Sequence, residues 1–242
     1  MKTRLDKELV RRGLTGTRSQ AENYVRLGKA LVDGRVVTKA GHMVNEDSTI
    51  TLQVSEQYVS RAGLKLASVA GYFGIDFREK VVLDIGSSTG GFTDYVLQHG
   101  ARKVLAVDVG TEQLHPKLRG DERVELHEKT DIRDFYAEQA IDVIVGDVSF
   151  ISLRDILPHV AKNLMQPNTL LVAMVKPQFE AGRGQVNKGV IKNDKMRRQV
   201  LAEFEMWAER YFVIKAKRDS DVAGQKGNLE RFYVLTLKNR HT

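Results

Sequence analysis

The feature that most constrains the fold of this 242-residue chain is a glycine-rich stretch between an apolar run and a helical pattern. The stretch covers residues 84–94, reads Asp-Ile-Gly-Ser-Ser-Thr-Gly-Gly-Phe-Thr-Asp, and directly follows the apolar residues 81–83. Glycines at such a junction let the backbone approach a ligand closely, and the amides that open a helix are free to bind it. We therefore expect a strand, a ligand-binding loop and a helix, in that order.

Apolar runs and helical patterns alternate along the rest of the chain. Buried strands are predicted at 81–86, 103–109, 124–126, 141–145 and 169–175, and helices at 60–72, 92–99 and 153–164. This order favours an α/β domain with a parallel sheet and helices on both of its faces. Two later strand patterns, at 211–216 and 231–237, predict an antiparallel pair that closes the edge of the sheet.

The spacing of the glycines indicates the kind of ligand. It does not match the Gly-x-Gly-x-x-Gly fingerprint of dinucleotide-binding proteins, which disfavours a nicotinamide dehydrogenase, and no Gly-Lys-Ser/Thr follows it as in a P-loop. An acid precedes the first glycine, and a carboxylate there suits the cationic methionine end of S-adenosylmethionine better than a pyrophosphate. The predicted cofactor residues in this stretch are Asp84, Gly86, Ser88, Gly90, Gly91 and Phe92.

Two further acids support a nucleoside cofactor. Asp108 lies near the end of the second predicted strand, where a carboxylate can accept hydrogen bonds from both ribose hydroxyls. Asp131 follows the next predicted strand and is placed to face the adenine edge. Ordinary acids at strand ends are the alternative interpretation, and it is a stronger alternative for Asp131 alone.

Two candidate catalytic residues follow neighbouring predicted strands. Asp147 ends the fourth strand, and Lys176 closes the apolar run 170–175 at the end of the fifth. A buried lysine needs a partner, and burial and a nearby carboxylate act on its pKa in opposite directions. Taken singly, Lys65 and Glu230 are more typical of structural residues than of catalytic ones.

The N-terminal segment differs from the rest in charge. Residues 1–42 contain ten Lys and Arg against four acids, which is +6 of the net charge of +7. Two short helices, the second capped by Ser19, and extended runs at 30–38 and 49–54 predict a small α+β module. Such a module favours a polyanion as its partner, although a solvated basic face is the alternative. We expect this domain at 1–55, a linker at 56–60 and the α/β domain at 61–242.

Composition excludes several classes of protein. The chain has no cysteine, which rules out disulfides, thiolate zinc sites and cysteine nucleophiles. The six histidines lack the spacing of metal ligands, so no metal site is expected. No apolar run approaches the roughly 20 residues of a membrane helix, and the first residues do not read as a signal peptide. A cytoplasmic protein is the expectation.

Several motifs together resemble one family over essentially the whole chain. Four segments, at 58–66, 84–94, 147–153 and 176–183, look like the TlyA family of ribosomal RNA 2′-O-methyltransferases, whose catalytic domain is similar to FtsJ and which often carry the label hemolysin. Elements of the N-terminal segment resemble the S-four RNA-binding module: 4–6, 13–14, 19–21, 28 and 32–34. Two domain signatures occur in the expected order.

The resemblance implies a Rossmann-like fold, S-adenosylmethionine as cofactor, and ribosomal RNA or ribosomal subunits, at a cytidine, as substrate. It also implies a catalytic tetrad, which the motifs place at Lys65, Asp147, Lys176 and Glu230. In this scheme Lys176 deprotonates or steers the hydroxyl, Asp147 orients it, and the other two hold the ribose. The residues expected to bind RNA phosphates are Arg4, Arg11, Arg18, Arg26, Lys29 and Arg35.

The chain departs from the family pattern at two places, and two other functions stay open. Residues 219–222 read Asp-Ser-Asp-Val where the family usually has Ser-Pro, and His115 and Pro116 replace a small–aromatic pair. The alternatives are an RNA-binding protein with an inactive methyltransferase fold and a membrane-lytic hemolysin. The intact tetrad argues against the first, and the lack of a long apolar or strongly amphipathic segment argues against the second.

Overall fold

The computed structural model describes residues 2–15, 18–26, 28–52, 58–181, 190–191, 193–224 and 227–238. Its contacts divide the chain into two compact units, Met1–Gln57 and Tyr58–Thr242. Parts of the expected linker and the ends of two predicted N-terminal elements, at 27 and 53–54, lie outside the described residues.

The N-terminal unit packs two helices on short strands. Its elements are β1 (Lys2–Arg4), α1 (Leu5–Arg11), α2 (Arg18–Arg26), β2 (Ala30–Val32), β3 (Arg35–Val37), β4 (Met43–Asn45) and β5 (Ile50–Leu52). Strand β2 lies between β3 and β5 in an antiparallel sheet, and β1 pairs with β4. Asp33 and Gly34 join β2 to β3 at positive φ, as a tight hairpin requires. Leu5, Leu9 and Val25 are among the buried core residues.

The predicted helices and the hairpin of this unit are confirmed, and three details are wrong. Helix α2 begins at Arg18, so Ser19 lies inside the helix rather than before it. Strands β1 and β4 were not predicted, because a three-residue strand in which only the middle residue is buried, as in β4, gives too short a pattern to detect.

The second unit is a three-layer α/β domain. Its strands are β6 (Val81–Ile85), β7 (Lys103–Val107), β8 (Val124–His127), β9 (Val143–Gly146), β10 (Leu170–Val175), β11 (Phe212–Asp219) and β12 (Arg231–Leu237). Its helices are α3 (Arg61–Phe73), α4 (Gly91–Gln98), α5 (Pro116–Arg119), α6 (Leu153–His159), α7 (Pro177–Glu180) and α8 (Asp194–Ala208). A π-helical turn, Val160–Leu164, continues α6.

The seven strands form one sheet in the order β11-β12-β10-β9-β6-β7-β8. The five strands from β10 to β8 are parallel, and β12 runs antiparallel to both β10 and β11. The predicted parallel sheet and its antiparallel edge are therefore confirmed. The strand order reverses between β6 and β9, and ligands of open α/β sheets bind at the carboxyl ends of the strands at such a point.

Alternate residues of each central strand bury the two faces of the sheet. Val82, Val104 and Val172 pack with α3 and α4, whereas Leu83, Leu105 and Leu171 pack with α6 and α8. This double burial explains why these strands read as continuous apolar runs in the sequence.

The boundaries of some predicted elements needed correction. Strand β7 ends at Val107 rather than at 109, and β11 continues to Asp219 because its ladder with β12 resumes after a bulge between Ile214 and Ala216. The α-helical part of the predicted helix 153–164 stops at His159, just after Pro158, which cannot donate a backbone hydrogen bond.

Candidate active site

Two cavities open at the carboxyl ends of β6, β7, β9 and β10. The larger has a volume of about 330 Å³, and the smaller about 120 Å³. Both are lined by Gly86, Ser88, Asp147 and Ser149, so the residues after β6 and β9 form their common wall. A volume of about 300 Å³ or more is typical of small-ligand sites.

The larger cavity contains the acids predicted to hold a nucleoside. Asp108 Oδ2 accepts a hydrogen bond from Ser88 N at 2.8 Å, and Oδ1 accepts one from Gly110 N at 2.7 Å. Each carboxylate oxygen has a second lone pair, so Asp108 can still accept from a ligand. Val109 and Ile132 are among the apolar residues that line the same cavity.

Asp131 also lines the larger cavity, but it has structural partners. It caps the short helical turn Ile132–Asp134, and it forms an ion pair with Arg133, Nη2 to Oδ2 at 2.6 Å. The Arg133 side chain holds the pKa of this carboxyl below its usual value. Its position agrees with a ligand contact, while its partners account for an acid at this position without a ligand.

The three glycines predicted to bind a cofactor have different structural reasons. Gly86 has φ +77°, and a Cβ there would lie 3.1 Å from Asp147 O, so it is needed where the two cavities meet. A Cβ at Gly90 would meet Leu118, and one at Gly91 would lie 2.8 Å from Gly63 N. Packing therefore explains Gly90 and Gly91, and of these two only Gly91 lines a cavity.

Phe92 and Asp84 both line the smaller cavity. The Phe92 ring is buried in the core, 6.0 Å from the ring of Phe232. Asp84 is completely buried, and its Oδ2 accepts hydrogen bonds from Thr93 N at 3.0 Å and Thr93 Oγ1 at 2.6 Å. Burial raises the pKa of Asp84 to about 7.

Two buried polar atoms at the smaller cavity lack a partner. Asp84 Oδ1 and Ser87 Oγ have no hydrogen-bond partner among the described residues, and both side chains line this cavity. Buried polar atoms are normally satisfied, and an acidic oxygen beside a hydroxyl suits a cationic amino group. The residues present therefore fit the amino-acid end of S-adenosylmethionine.

Lys176 and Asp147, the partners expected from the sequence, form an ion pair at the smaller cavity. Lys176 Nζ lies 2.5 Å from Asp147 Oδ1, and it donates a hydrogen bond to Ser149 Oγ at 2.7 Å. Both charged side chains are mostly buried. The sequence analysis did not assign a role to Ser149, although a hydroxyl two residues after a strand-end acid was a usable signal.

Lys65 and Glu230 form a second buried ion pair, Nζ to Oε2 at 2.5 Å. Lys65 lies on α3, and Glu230 precedes β12. The ladder between β10 and β12 ends at the pair Val175–Arg231, which brings Lys176 and Glu230 to the same edge of the sheet. The four residues of the implied tetrad are therefore arranged as two lysine–carboxylate pairs.

Phe150 is an exposed aromatic residue that the sequence analysis missed. Its side chain is 91% exposed and its φ is +67°, a left-handed conformation that a bulky residue rarely adopts. Its ring lies 5.2 Å from that of Phe179, and it lines the larger cavity. Strain of this kind is found at functional sites.

The six basic residues predicted to bind RNA divide into two groups. Arg4 and Arg18 form ion pairs with the buried Asp6, and Arg11 pairs with the buried Glu8. These arginines hold the pKa of both carboxyls well below the usual range. Over the part of the chain that the structure describes, the exposed residues of the other group have no ion pair: Arg26, Lys29 and Arg35.

The fold and the site define a methyltransferase domain of the α/β type joined to a small N-terminal unit. The model of the FtsJ-like methyltransferase family matches residues 58–238, and that of the S4 domain matches residues 3–50. The chain belongs to the FtsJ-like methyltransferase family, and it carries an S4 domain.

Relatives of known name extend over nearly the whole chain. A 16S/23S rRNA (cytidine-2′-O)-methyltransferase TlyA of Mycobacterium tuberculosis is 37% identical, covering 97% of this chain and 90% of its own length. The 23S rRNA (cytidine-2′-O)-methyltransferase TlyA of Campylobacter jejuni is 42% identical, covering 77% and 73%. A solved structure from Streptococcus thermophilus, described under the hemolysin name, has a TM-score of 0.76 at 37% identity and covers 98% and 89%. The resemblance to the TlyA family is confirmed.

No helix within the described ranges is long and apolar enough to cross a membrane. Within the same ranges, no group of three or more His, Asp or Glu side chains could hold a metal ion.

Proposed function

We propose that this protein transfers a methyl group from S-adenosylmethionine to the ribose 2′-hydroxyl of a cytidine in ribosomal RNA. The observation that carries the proposal is the buried cluster of Lys176, Asp147 and Ser149 at the wall of both cavities. The relatives named above, which act on ribosomal RNA, support the choice of substrate. A ribosomal substrate places the protein in the cytoplasm.

Residues of both cavities would hold the cofactor. Asp108 and Asp131 line the larger cavity with apolar neighbours and would bind the nucleoside, with Gly86 and Ser88 at the boundary. Asp84 Oδ1 would bind the amino group in the smaller cavity. When bound, S-adenosylmethionine supplies a methyl group on a positively charged sulfur.

Lys176 would remove the proton. A ribose 2′-hydroxyl is a poor nucleophile while it keeps its proton, so a positioned base lowers the barrier. The Nζ atom must be neutral to accept the proton from the 2′-oxygen. Asp147 Oδ1, at 2.5 Å, then stabilises the ammonium that forms. Ser149 Oγ fixes the direction of Nζ, and its hydroxyl can accept from the charged amine or donate to the neutral one.

Lys65 and Glu230 would hold the target ribose. Their buried ion pair lies at the same sheet edge as Lys176, and a fixed pair of charges can orient hydroxyl groups at little entropic cost. Phe150 would stack on the target base, because an exposed ring beside the cofactor cavity offers a face to a flipped nucleotide.

The S4 unit would bind RNA phosphates. Arg26, Lys29 and Arg35 keep their charges available, whereas Arg4, Arg11 and Arg18 also hold the unit's own carboxylates. Phosphate contacts fix the position of an RNA rather than its sequence, and they weaken with salt.

The test is transfer of a labelled methyl group to purified ribosomal subunits and to stripped ribosomal RNA. The wild type, Lys176→Ala and Lys162→Ala are compared, since Lys162 is an exposed lysine of the same domain. We expect 2′-O-methylcytidine on one or both subunits with the wild type and Lys162→Ala, and none with Lys176→Ala, although all three bind the cofactor. Cofactor binding without transfer by the wild type would favour the inactive RNA-binding alternative, and no cofactor binding would contradict the proposal altogether.

A further inference from the structure

Glu180 is a buried acid that has no place in the mechanism above. Its side chain is only 2% exposed. Oε2 accepts a hydrogen bond from Ser152 Oγ at 2.6 Å, and Oε1 accepts one from Leu153 N at 2.7 Å. Arg154 Nε lies 3.6 Å from Oε2. The carboxylate is therefore fully engaged with one short segment of chain.

These contacts connect the two loops that carry the reacting side chains. Ser152 and Leu153 end the loop after β9, which begins with Asp147 and contains Ser149. Glu180 ends α7, which follows directly on Lys176 after β10. Apart from Glu180, the rings of Phe150 and Phe179 join the same two loops at 5.2 Å.

The connection has an energetic cost that a merely space-filling residue would avoid. Burial raises the pKa of Glu180 because the charged form loses its hydration. Ser152 Oγ also accepts a hydrogen bond from Arg154 N at 3.0 Å, so the carboxylate is one member of a continuous chain of bonds that begins α6. A neutral apolar residue could fill the space but would leave Ser152 Oγ–H and Leu153 N without their acceptor.

We propose that Glu180 is a positioning residue of the methyl transfer: it holds the loop 147–152 against the segment that begins with Lys176, so that Nζ meets both Asp147 and Ser149. This inference rests on the proposed function. Removing the carboxylate should loosen the loop after β9, let Ser149 and Asp147 move relative to Nζ, and lower the rate of the chemical step. Cofactor binding should persist, since Asp108 and Asp131 lie on other loops.

A matched control exists at the opposite ends of the same two strands. Thr169 is 1% exposed, its Oγ1 accepts a hydrogen bond from Gln166 N at 2.9 Å, and it donates one to Ile141 O at 2.7 Å. Thr169 thus ties the segment before β10 to the segment before β9, as Glu180 ties the segments after them. Thr169→Val removes both bonds at nearly constant volume, far from the reacting side chains.

The experiment compares Glu180→Ala, Glu180→Gln, Ser152→Ala and Thr169→Val with the wild type. For each, kcat and KM are measured on the ribosomal substrate, the Kd of S-adenosylmethionine by calorimetry, and the Tm by scanning calorimetry. We expect kcat to fall about 100-fold in Glu180→Ala and about tenfold in Glu180→Gln, which keeps one acceptor, because small displacements of reacting groups are this costly. The Kd should stay within about threefold of the wild type.

Thr169→Val should lower the Tm while kcat stays within about twofold of the wild type. The inference is overturned if Glu180→Ala keeps a normal kcat, or if Thr169→Val loses as much kcat as Glu180→Ala at a similar loss of Tm. Should Glu180→Ala fail to fold, Glu180→Gln and Ser152→Ala decide by the same criteria. A wild type that binds cofactor but transfers no methyl group overturns both the proposed function and this inference, whereas active Glu180 variants overturn this inference alone.

Discussion

Lys65 and Glu230 are 165 positions apart in the chain, yet Lys65 Nζ lies 2.5 Å from Glu230 Oε2 in a pair that is almost fully buried. The contact joins the first helix of the methyltransferase domain to the last strand of its sheet. An interaction between such distant segments forms only when the domain is complete, so the pair connects the integrity of the fold with the geometry of the site.

Removing one partner of this pair should destabilise the domain more than removing both. Glu230→Leu leaves Lys65 with a buried charge and no counterion, and we expect a loss of about 3–5 kcal/mol. The double variant Lys65→Met, Glu230→Leu has no buried charge and should recover most of that loss. Urea unfolding of the two single variants and the double variant measures the coupling. Additive losses would contradict a direct interaction.

A methyl group at Gly224 should displace the Glu230 carboxylate. A Cβ at this position would lie 2.7 Å from Glu230 Oε1, closer than real Cβ atoms approach an oxygen. We expect Gly224→Ala to lower kcat about tenfold through the altered position of Glu230. The control is Gly71→Ala on α3, where a Cβ meets nothing within 4 Å. That variant should gain about 0.5–1 kcal/mol in stability and keep its rate.

The sequence was sufficient for the sheet and insufficient for the contacts between loops. Strands β6, β9 and β10 were predicted within two residues because double burial leaves long apolar runs. Gly90 and Gly91 read as ligand glycines, since a glycine needed for packing looks identical in sequence to one needed for close approach.

The partners of Glu180 and Ser149 could not be predicted, because no spacing rule relates loops that follow different strands. Lys65 and Glu230 entered the candidate site only through family resemblance, and the structure then supplied the physical reason for considering them together.

Cofactor binding should be linked to a proton on Asp84. Burial raises its pKa to about 7, so the carboxyl is largely protonated at pH 6 and largely ionised at pH 8. A cationic amino group beside Oδ1 requires the ionised form. We therefore expect the affinity for S-adenosylmethionine to rise about tenfold from pH 6 to pH 8, with proton release on binding near pH 7. Calorimetry in buffers of different ionisation enthalpy measures the released protons.

Asp84→Asn is the control for this linkage. It should bind the cofactor weakly and with little pH dependence over the same range. Because the folded state holds the Asp84 proton more tightly than the unfolded state, the stability of the wild type relative to this variant should fall as pH rises from about 4 to about 7, by up to about 4 kcal/mol. A flat difference would show that Asp84 is ionised throughout.

Phe150 should act on the RNA and not on the cofactor. A stacked base contributes about 1–3 kcal/mol, so Phe150→Ala should lower kcat/KM for the ribosomal substrate by roughly 5- to 150-fold. Phe150→Tyr keeps the ring and should stay close to the wild type. Steady-state kinetics on isolated subunits give the ratio, while calorimetry should find the same cofactor Kd in all three proteins. A loss of cofactor affinity in Phe150→Ala would instead assign the ring to the cavity wall.

Arg35 and Arg18 should separate RNA binding from stability within the S4 unit. Arg35 is exposed and has no ion pair within the described residues, so Arg35→Gln should leave the Tm unchanged. It should weaken RNA binding and reduce the slope of log K against log salt by about 1, the effect of one lost phosphate contact.

Arg18 donates from Nε to the buried Asp6 at 2.9 Å. Arg18→Gln removes a donor that keeps the pKa of this carboxyl low, so it should destabilise the unit above pH 5, where Asp6 is ionised in both states. Filter binding over a salt series, with thermal unfolding of the same proteins, checks both variants. Equal effects of Arg35→Gln and Arg18→Gln on stability would show that ion pairing does not distinguish the two groups of basic residues.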